Sequence, residues 1–168
     1  MSNTPKLCDL FIADCTLLTE TYTIREHVSV AIRDSRIVEI GEHTAMAGAY
    51  QAAQTISGAG KLLMPGFVDG HTHVCQQLLR GRSSGHMAMN WTGVLVPWES
   101  SLTPQDVRVS TRMACLEMIK AGFTSFADAG GVHMDQAAEG ILESGMRAAI
   151  CRSTMDIGDV VSDKMKES

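Results

Sequence analysis

Large apolar residues recur at every second position in the first half of the stretch HVSVAIRDSRIVEIGE at residues 27–42, and they return after the polar step Asp34-Ser35. A period of two is typical of strands, and an Asp-Ser step favours a turn, so this pattern predicts a β-hairpin. Val28, Val30 and Ile32 alternate before the turn, and Ile37, Val38 and Ile40 follow it.

The rest of the first sixty residues is less regular. Residues 7–13 and 16–19 are predicted to form two short strands separated by a turn at Asp14. Residues 43–60 are rich in Ala, Gly and small polar residues, which predicts a loop before the apolar run KLLMPGFV. We therefore expect residues 1–62 to form a small antiparallel β unit, the first of two parts of the chain.

The apolar period becomes helical after residue 102. Thr103 is placed as an N-cap, Pro104 as the first helical residue and Asp106 as an acid three positions after the cap, and Gly122 follows the expected end. The pattern predicts an amphipathic helix. The residues expected on its apolar face are Val107, Thr111, Ala114, Cys115, Met118 and Ile119.

Strand and helix patterns then alternate. The segments FTSFADAG at 123–130 and MRAAICRST at 146–154 have the composition of short strands, and residues 134–145 between them have the pattern of a helix that ends at Gly145. This order is typical of a parallel sheet with right-handed crossovers. The charged segment at 160–168 is compatible with the start of a further helix.

Charge and composition exclude several classes of function. The 168 residues carry a formal charge of -5, and the 14 Lys and Arg residues are scattered, which argues against nucleic-acid binding. No apolar window is long enough to span a bilayer, and the amino terminus has no signal-peptide pattern, so we expect no membrane partner. The five cysteines have no paired spacing and indicate the reduced thiols of a cytoplasmic protein.

Two histidines stand at the end of an apolar run, in MPGFVDGHTHVCQQLLRG at residues 64–81. Because side chains alternate across a strand, His71 and His73 share a face with Cβ atoms about 6 to 7 Å apart, and Asp69 precedes them on that face. Two imidazoles at this spacing can reach one metal ion, although an isolated H-x-H is by itself a weak signal. The carboxyl end of a strand is also where parallel sheets and barrels place their sites.

The sequence offers no convincing third metal ligand, whereas catalytic zinc usually takes three protein ligands. The other histidines are each expected to be solvated loop residues: His86, His133 and, within the β unit, His27 and His43. Asp128 ends a predicted strand, where it either faces the same site or caps the following turn.

Several motifs occur together in one order along the chain. They are Pro-Gly-Phe-x-x-x-His-x-His, Leu-Arg-Gly, Pro97-Trp98-Glu99 and the strand Gly-Phe-Thr-Ser-Phe-Ala-Asp. In this combination the chain resembles the amidohydrolase superfamily, in particular the branch of methylthioadenosine/S-adenosylhomocysteine deaminases and s-triazine chlorohydrolases. The resemblance covers nearly the whole chain and implies that His71 and His73 are metal ligands.

The resemblance also implies the fold and the cofactor. Residues 63–168 would be the first three βα units of a distorted (β/α)8 TIM barrel, an α/β fold, and residues 1–62 the N-terminal part of a β-sandwich. A divalent metal, zinc or alternatively iron, would activate water against a C–N or C–Cl carbon. In the family, histidines from strands five and six and an aspartate from strand eight join the first two histidines, and an acid/base carboxylate moves the protons.

Two substrate contacts follow from the same resemblance. Glu99 corresponds to a carboxylate that accepts hydrogen bonds from ribose hydroxyls, and Arg152 to a substrate-binding arginine after the third barrel strand. The alternatives are an exposed loop acid for Glu99 and a surface ion-pair partner for Arg152. The segment between Arg80 and Pro97 departs from the deaminase pattern in length and after Trp91, which bears on nucleoside specificity.

Chain length limits this interpretation. A (β/α)8 barrel takes about 250 residues, so residues 63–168 hold roughly three of its units. We expect the remaining metal ligands and the catalytic acid/base beyond Ser168, in a homo-oligomeric aminohydrolase of purine-nucleoside-like heterocycles. Triazine-like, guanine-like and pterin-like rings are alternative substrates. The other hypothesis is a catalytically incomplete module that associates with a partner protein through its open sheet edge.

Overall fold

The computed structural model describes residues 4–82, 91–155 and 163–166. The chain divides into two compact units, Met1–Pro65 and Gly66–Ser168. Each unit has its own sheet and its own cluster of buried apolar side chains. None of the helices in the described ranges has the length and apolar character needed to cross a membrane.

The first unit is a mixed sheet with one short helix. Its elements are β1 (Lys6–Leu18), β2 (Ile24–Arg33), β3 (Arg36–Glu42), α1 (His43–Met46), β4 (Tyr50–Ser57) and β5 (Leu62–Leu63). The strand order is β3-β2-β1-β4, and β5 also pairs with β1. The β1–β2 and β2–β3 pairs are antiparallel, whereas β4 and β5 run parallel to β1.

The hairpin predicted at residues 27–42 is confirmed. Arg33 lies opposite Arg36, and the two residues between them, Asp34 and Ser35, have φ angles of 53° and 60°. Two consecutive residues in the left-handed region form a turn whose twist matches that of the flanking strands. The Asp-Ser step therefore closes the hairpin with the shortest common connection.

The turn predicted at Asp14 is wrong. β1 is one strand, and Asp14 lies inside it with a φ of 56°, where the pairing with β2 changes register between Ile12 and Cys15. This irregularity is a β-bulge, which interrupts the alternation of side chains without ending the strand.

The loop predicted at residues 43–60 is also wrong, because this segment contains α1 and β4. Most of β4 is exposed, and the residues that pack against the core of the first unit are Tyr50 and the small Ala52. The strand therefore shows little apolar alternation, and its formation depends on pairing with β1. Since that pairing is parallel, the predicted all-antiparallel unit is corrected to a mixed sheet.

The second unit alternates strands and helices. Its elements are β6 (Phe67–Thr72), a 3-10 helix (Val74–Leu79), a π-helical segment (Trp91–Leu95), α2 (Val96–Ser101), α3 (Pro104–Lys120), β7 (Phe123–Asp128), α4 (Met134–Ser144), β8 (Arg147–Ile150) and α5 (Asp163–Lys166). The strands pair in the order β6-β7-β8, and both pairs are parallel, which confirms the predicted parallel sheet. The third strand is shorter than the predicted range 146–154, and its four residues are exposed.

The helix predicted after Thr103 is confirmed as α3. The Thr103 hydroxyl accepts the Asp106 N–H at 3.2 Å, and the Asp106 carboxylate accepts the Thr103 N–H at 2.9 Å, which completes a capping box. Val107, Ala114 and most of the predicted face are buried or packed against the core. Ile119 is the exception: it is 46% exposed, because it lies about 120° around the helix from Val107 and so outside the buried face.

We expect Thr103→Ala to lower the free energy of unfolding by about 1 kcal/mol, because it removes the hydroxyl that accepts the Asp106 N–H. Urea unfolding can be followed through Trp91 and Trp98, the only two tryptophans, both in the second unit. Thr154→Ala, at an exposed threonine outside the helices and strands, is the control. An equal loss in both variants would contradict the capping role.

Candidate active site

The two predicted metal ligands lie together at the carboxyl end of β6. The ring centroids of His71 and His73 are 5.3 Å apart, with an angle of 82° between the ring planes. His71 is exposed, and its backbone N–H donates to the Asp69 carboxylate at 3.1 Å. His73 is half-buried. The alternation of side chains along a strand therefore brings both imidazoles to one side, as the sequence predicts.

One hydrogen bond determines the tautomer of His73. Its Nδ1 lies 2.7 Å from the carbonyl oxygen of Gly130. A carbonyl only accepts hydrogen bonds, so Nδ1 carries the proton and the lone pair of the neutral ring is on Nε2. Metal-binding histidines commonly have a carbonyl or carboxylate partner of this kind on the second ring nitrogen.

Asp128 is buried at the end of β7, with 4% of its surface exposed. Its carboxylate accepts the N–H groups of Val74 and Gly130, at 2.7 and 2.8 Å. Burial raises the pKa of this carboxyl, and the two N–H donors and the nearby histidines oppose the rise. Asp128 thus caps the turn after its strand, which is one of the two roles the sequence left open.

Glu99 lies in α2 and is only 5% exposed, so the exposed-loop alternative is wrong. Gln76 Nε2 donates to its Oε1 at 2.5 Å. Burial raises the pKa of Glu99, while the Gln76 hydrogen bond and the neighbouring His73 lower it. On the other side, a Cβ atom added at Gly131 would lie 2.6 Å from Cys75 Sγ and 3.6 Å from Glu99 Oε2, so this glycine lets the backbone pass close to both side chains.

Arg152 follows β8 by two residues, and its side chain is exposed. A Cβ atom added at Gly130 would lie 3.0 Å from the Arg152 carbonyl carbon and 2.6 Å from the Ser153 nitrogen, so the two backbones are in close contact. Arg152 therefore begins next to the turn that accepts the His73 hydrogen bond. Within the described ranges no ion pair of Arg152 is present, which gives no support to the surface ion-pair alternative.

The other histidines lie outside this arrangement or play local roles. His133 is only partly exposed, and its Nε2 is buried without a hydrogen-bond partner among the described residues, so the prediction of a solvated side chain is wrong for that nitrogen. His27 pairs with Asp14 in the first unit. His43 Nδ1 lies 2.9 Å from the hydroxyl of Ser29, also in that unit. His86 lies outside the described residues.

An open cleft of about 430 Å³ adjoins these residues. His73 and Gln76 line it together with the Leu-Arg-Gly motif. The arginine of that motif, Arg80, forms two hydrogen bonds with the Glu117 carboxylate of α3, at 2.9 and 2.5 Å, and so attaches this wall of the cleft to the helix. The motif is therefore structural in this chain, since its guanidinium is engaged outside the paired histidines.

The donor set fits a divalent metal in part. His71 and His73 offer two imidazole nitrogens on one side of a strand end, and His73 is held in the tautomer that a metal requires. Among the residues the structure describes, no group of three His, Cys, Asp or Glu side chains is arranged to hold an ion. Within the described ranges, the two imidazoles are therefore the donors that this strand end offers.

Two contributors to this site were missed in the sequence. Gly130 orients His73, and Gln76 hydrogen-bonds with Glu99. The Gly-Gly pair after Asp128 signals a turn, but nothing local indicates that its carbonyl meets a histidine 57 residues earlier. Gln76 has no sequence signal at all.

Comparison with known proteins places the chain in a family. The profile of the Amidohydrolase family matches residues 62–168. The chain belongs to the amidohydrolase family. This match covers His71, His73, Glu99 and Arg152.

Curated relatives in this amidohydrolase group are deaminases. The 5-methylthioadenosine/S-adenosylhomocysteine deaminase of Pelotomaculum thermopropionicum is 35% identical over 140 residues, which cover 83% of this chain and 32% of the relative. The 5'-deoxyadenosine deaminase of Methanosarcina barkeri is 38% identical over 131 residues, 77% of this chain and 29% of the relative. The chain thus spans about a third of the length of the relatives it matches.

Solved structures give the same picture of the fold. An adenosine deaminase from Xanthomonas campestris with bound zinc aligns with a TM-score of 0.78 and 26% identity, over 86% of this chain and 34% of that one. An atrazine chlorohydrolase from Arthrobacter aurescens TC1 complexed with zinc aligns with a TM-score of 0.75 and 22% identity, over 92% of this chain and 39% of that one. The second similarity is informative for the fold alone.

We expect Glu99→Gln to increase stability at neutral pH. The pKa of Glu99 is raised in the folded state. As the pH rises above the ordinary pKa of 4.5, the unfolded chain therefore loses this proton more readily than the folded protein, and the free energy of unfolding falls. Glutamine removes this loss, and the gain should disappear when the pH falls below 4.5, where both states are protonated. Urea unfolding of both proteins across this pH range measures the difference.

Glu20→Gln is the control for that experiment, because Glu20 is an exposed acid of the first unit. It should leave the pH dependence of stability close to that of the unchanged protein. A Glu99→Gln protein that is less stable than the parent at neutral pH, or equally stable at every pH, would contradict the effect of burial on this carboxyl.

Proposed function

We propose that this chain is the amino-terminal part of a metal-dependent aminohydrolase that hydrolyses a C–N bond of a purine-nucleoside-like heterocycle. The observation that carries the proposal is the pair His71 and His73 at a strand end, with His73 held so that Nε2 is free. The deaminases of adenosine-like compounds among the relatives support the substrate class.

In this proposal His71 and His73 hold a divalent ion through imidazole nitrogen. Zinc is supported by the zinc bound to the similar adenosine deaminase from Xanthomonas campestris, and iron is the alternative. When bound, such an ion supplies water of lowered pKa as the nucleophile. The chain's own contribution is to present two imidazoles close together at a strand end, with the proton of His73 kept on Nδ1 by Gly130.

Glu99 and Arg152 are the proposed substrate contacts. Gln76 already donates to Oε1 of Glu99, so Oε2 is the oxygen that we assign to ribose hydroxyls. The buried position of Glu99 strengthens hydrogen bonds to it, because water does not compete there. Arg152 starts at the carboxyl end of β8, and its guanidinium offers planar donors to a heterocycle or its substituents.

The proposal extends to the architecture. Residues 63–168 supply the first three βα units of a (β/α)8 barrel, and residues 1–62 supply a portion of a β-sandwich. The other metal ligands and the acid/base residue belong to sequence beyond Ser168, in a homo-oligomeric cytoplasmic enzyme. Support comes from three parallel strands in sequence order and from relatives about three times as long.

For the complete protein, we expect His71→Ala and His73→Ala each to reduce ammonia release from methylthioadenosine, S-adenosylhomocysteine and 5'-deoxyadenosine to background, with loss of bound metal. Removing either imidazole leaves the ion with too few nitrogen ligands. His27→Ala, at an exposed histidine of the first unit, should keep both activity and metal. Unchanged turnover in the His71 or His73 variant would remove the metal assignment.

The 168-residue chain by itself should release no ammonia from these nucleosides and should bind zinc more weakly than the complete protein, because it supplies two ligands of the site. Metal analysis after dialysis and an ammonia assay on both proteins test this. Robust turnover by the 168 residues alone would overturn the proposed division of the site. Turnover of triazines in place of nucleosides by the complete protein would overturn the substrate class.

A further inference from the structure

The carboxylate of Asp128 connects two peptide groups that lie on either side of His73. Its Oδ2 accepts the N–H of Val74 at 2.7 Å, and its Oδ1 accepts the N–H of Gly130 at 2.8 Å. Both hydrogen bonds are buried. Each oxygen therefore has one peptide donor, and the aspartate bridges the segment after β6 and the segment after β7.

The His73 ring is linked to both donor residues, to Val74 through the chain and to Gly130 through the carbonyl of that residue, which belongs to the following peptide group. Val74 follows His73 directly, so its N–H belongs to the peptide bond that joins the two residues. Gly130 accepts the Nδ1–H of His73 through its carbonyl at 2.7 Å. These contacts form a closed cycle. Three hydrogen bonds link Asp128 to Val74, Asp128 to Gly130, and Gly130 to His73, and the peptide bond between His73 and Val74 completes it.

The turn at Gly130 is itself tightly placed. Its φ is 94°, a value that residues with a side chain rarely adopt, and a Cβ atom there would lie 2.6 Å from the Ser153 nitrogen. The Gly130 carbonyl therefore has little freedom of its own, and the carboxylate that accepts the Gly130 N–H fixes the remaining orientation of this residue.

We propose that Asp128 is a positioning residue that sets the tautomer and direction of His73. By holding the Gly130 carbonyl against Nδ1, it keeps the proton on that nitrogen and leaves the Nε2 lone pair free. The consequence for a metal ion rests on the proposed function, whereas the tautomer follows from the geometry alone. Asp128 is not a metal ligand in this proposal, because both of its oxygens are engaged by peptide groups.

The test is Asp128→Asn, compared with Ser110→Ala. An amide has one acceptor oxygen, so asparagine can accept only one of the two N–H groups, and its NH2 would face the other donor. Ser110 donates to the Val74 carbonyl at 2.7 Å and is fully buried, so its change removes a comparable buried hydrogen bond without touching Gly130.

The first readout is the ¹⁵N spectrum of His73 in the metal-free chain, recorded at a mildly alkaline pH. The parent protein and Ser110→Ala should show the Nδ1–H tautomer, and Asp128→Asn should show a mixture. The second readout is zinc affinity by chelator competition. It should fall about 10- to 100-fold in Asp128→Asn and stay within about twofold in Ser110→Ala.

These outcomes separate the two proposals. A folded Asp128→Asn protein with unchanged tautomer and zinc affinity would overturn the positioning role, and so would an Nε2–H tautomer in the parent. Zinc binding that survives His71→Ala would overturn the proposed function. In that case the His73 tautomer in Asp128→Asn would still decide whether Asp128 is a positioning residue. If Asp128→Asn does not fold, Asp128→Ser, whose smaller side chain leaves room for water, must show the same tautomer change for the role to stand.

Discussion

The parallel register between β6 and β7 is the constraint on which the candidate site depends. Thr72 lies opposite Asp128, and the Ala129 N–H donates to the Thr72 carbonyl at 2.9 Å, so the two strands end at the same level. His73 and Gly130 therefore leave the sheet side by side. A slip of one residue would move the β6 side chains to the opposite face of the sheet, and His73 would lose its partner carbonyl on Gly130.

Two buried carboxyl groups near this edge lower the stability of the folded protein at neutral pH. Among the described contacts, neither Asp128 nor Glu99 has a cationic side chain as a hydrogen-bond partner: peptide N–H groups satisfy the first and Gln76 the second. Burial raises the pKa of both, so their ionised forms reduce stability at neutral pH. Apolar residues would pack there at lower cost, and such polar burial is typical of places selected for chemistry.

Local signals in the sequence predicted the elements that depend on local forces. Thr103 and Pro104 marked the start of α3, and Asp34 with Ser35 marked the hairpin turn. The elements that depend on pairing with another strand were missed. β4 has few apolar residues of its own and forms by pairing with β1. Asp14 lies in a β-bulge, which is defined by the register of β1 against β2 and has no local signal. The candidate site shows the same difference between local and long-range signals. The period of two predicted that the paired histidines share a face. The hydrogen bonds of His73 with Gly130 and of Glu99 with Gln76 join residues far apart in the sequence and were not predicted.

The exposed strand β8 has a consequence for how such a sheet is assembled. In the part of the chain described, β8 pairs with β7 on one side only, and its other side presents a row of peptide donors and acceptors. A parallel neighbour can reach that row only after a crossover of a dozen or so residues, usually through a helix. The described strands therefore lie in the sheet in the order in which they occur along the chain, and helices connect the consecutive parallel neighbours.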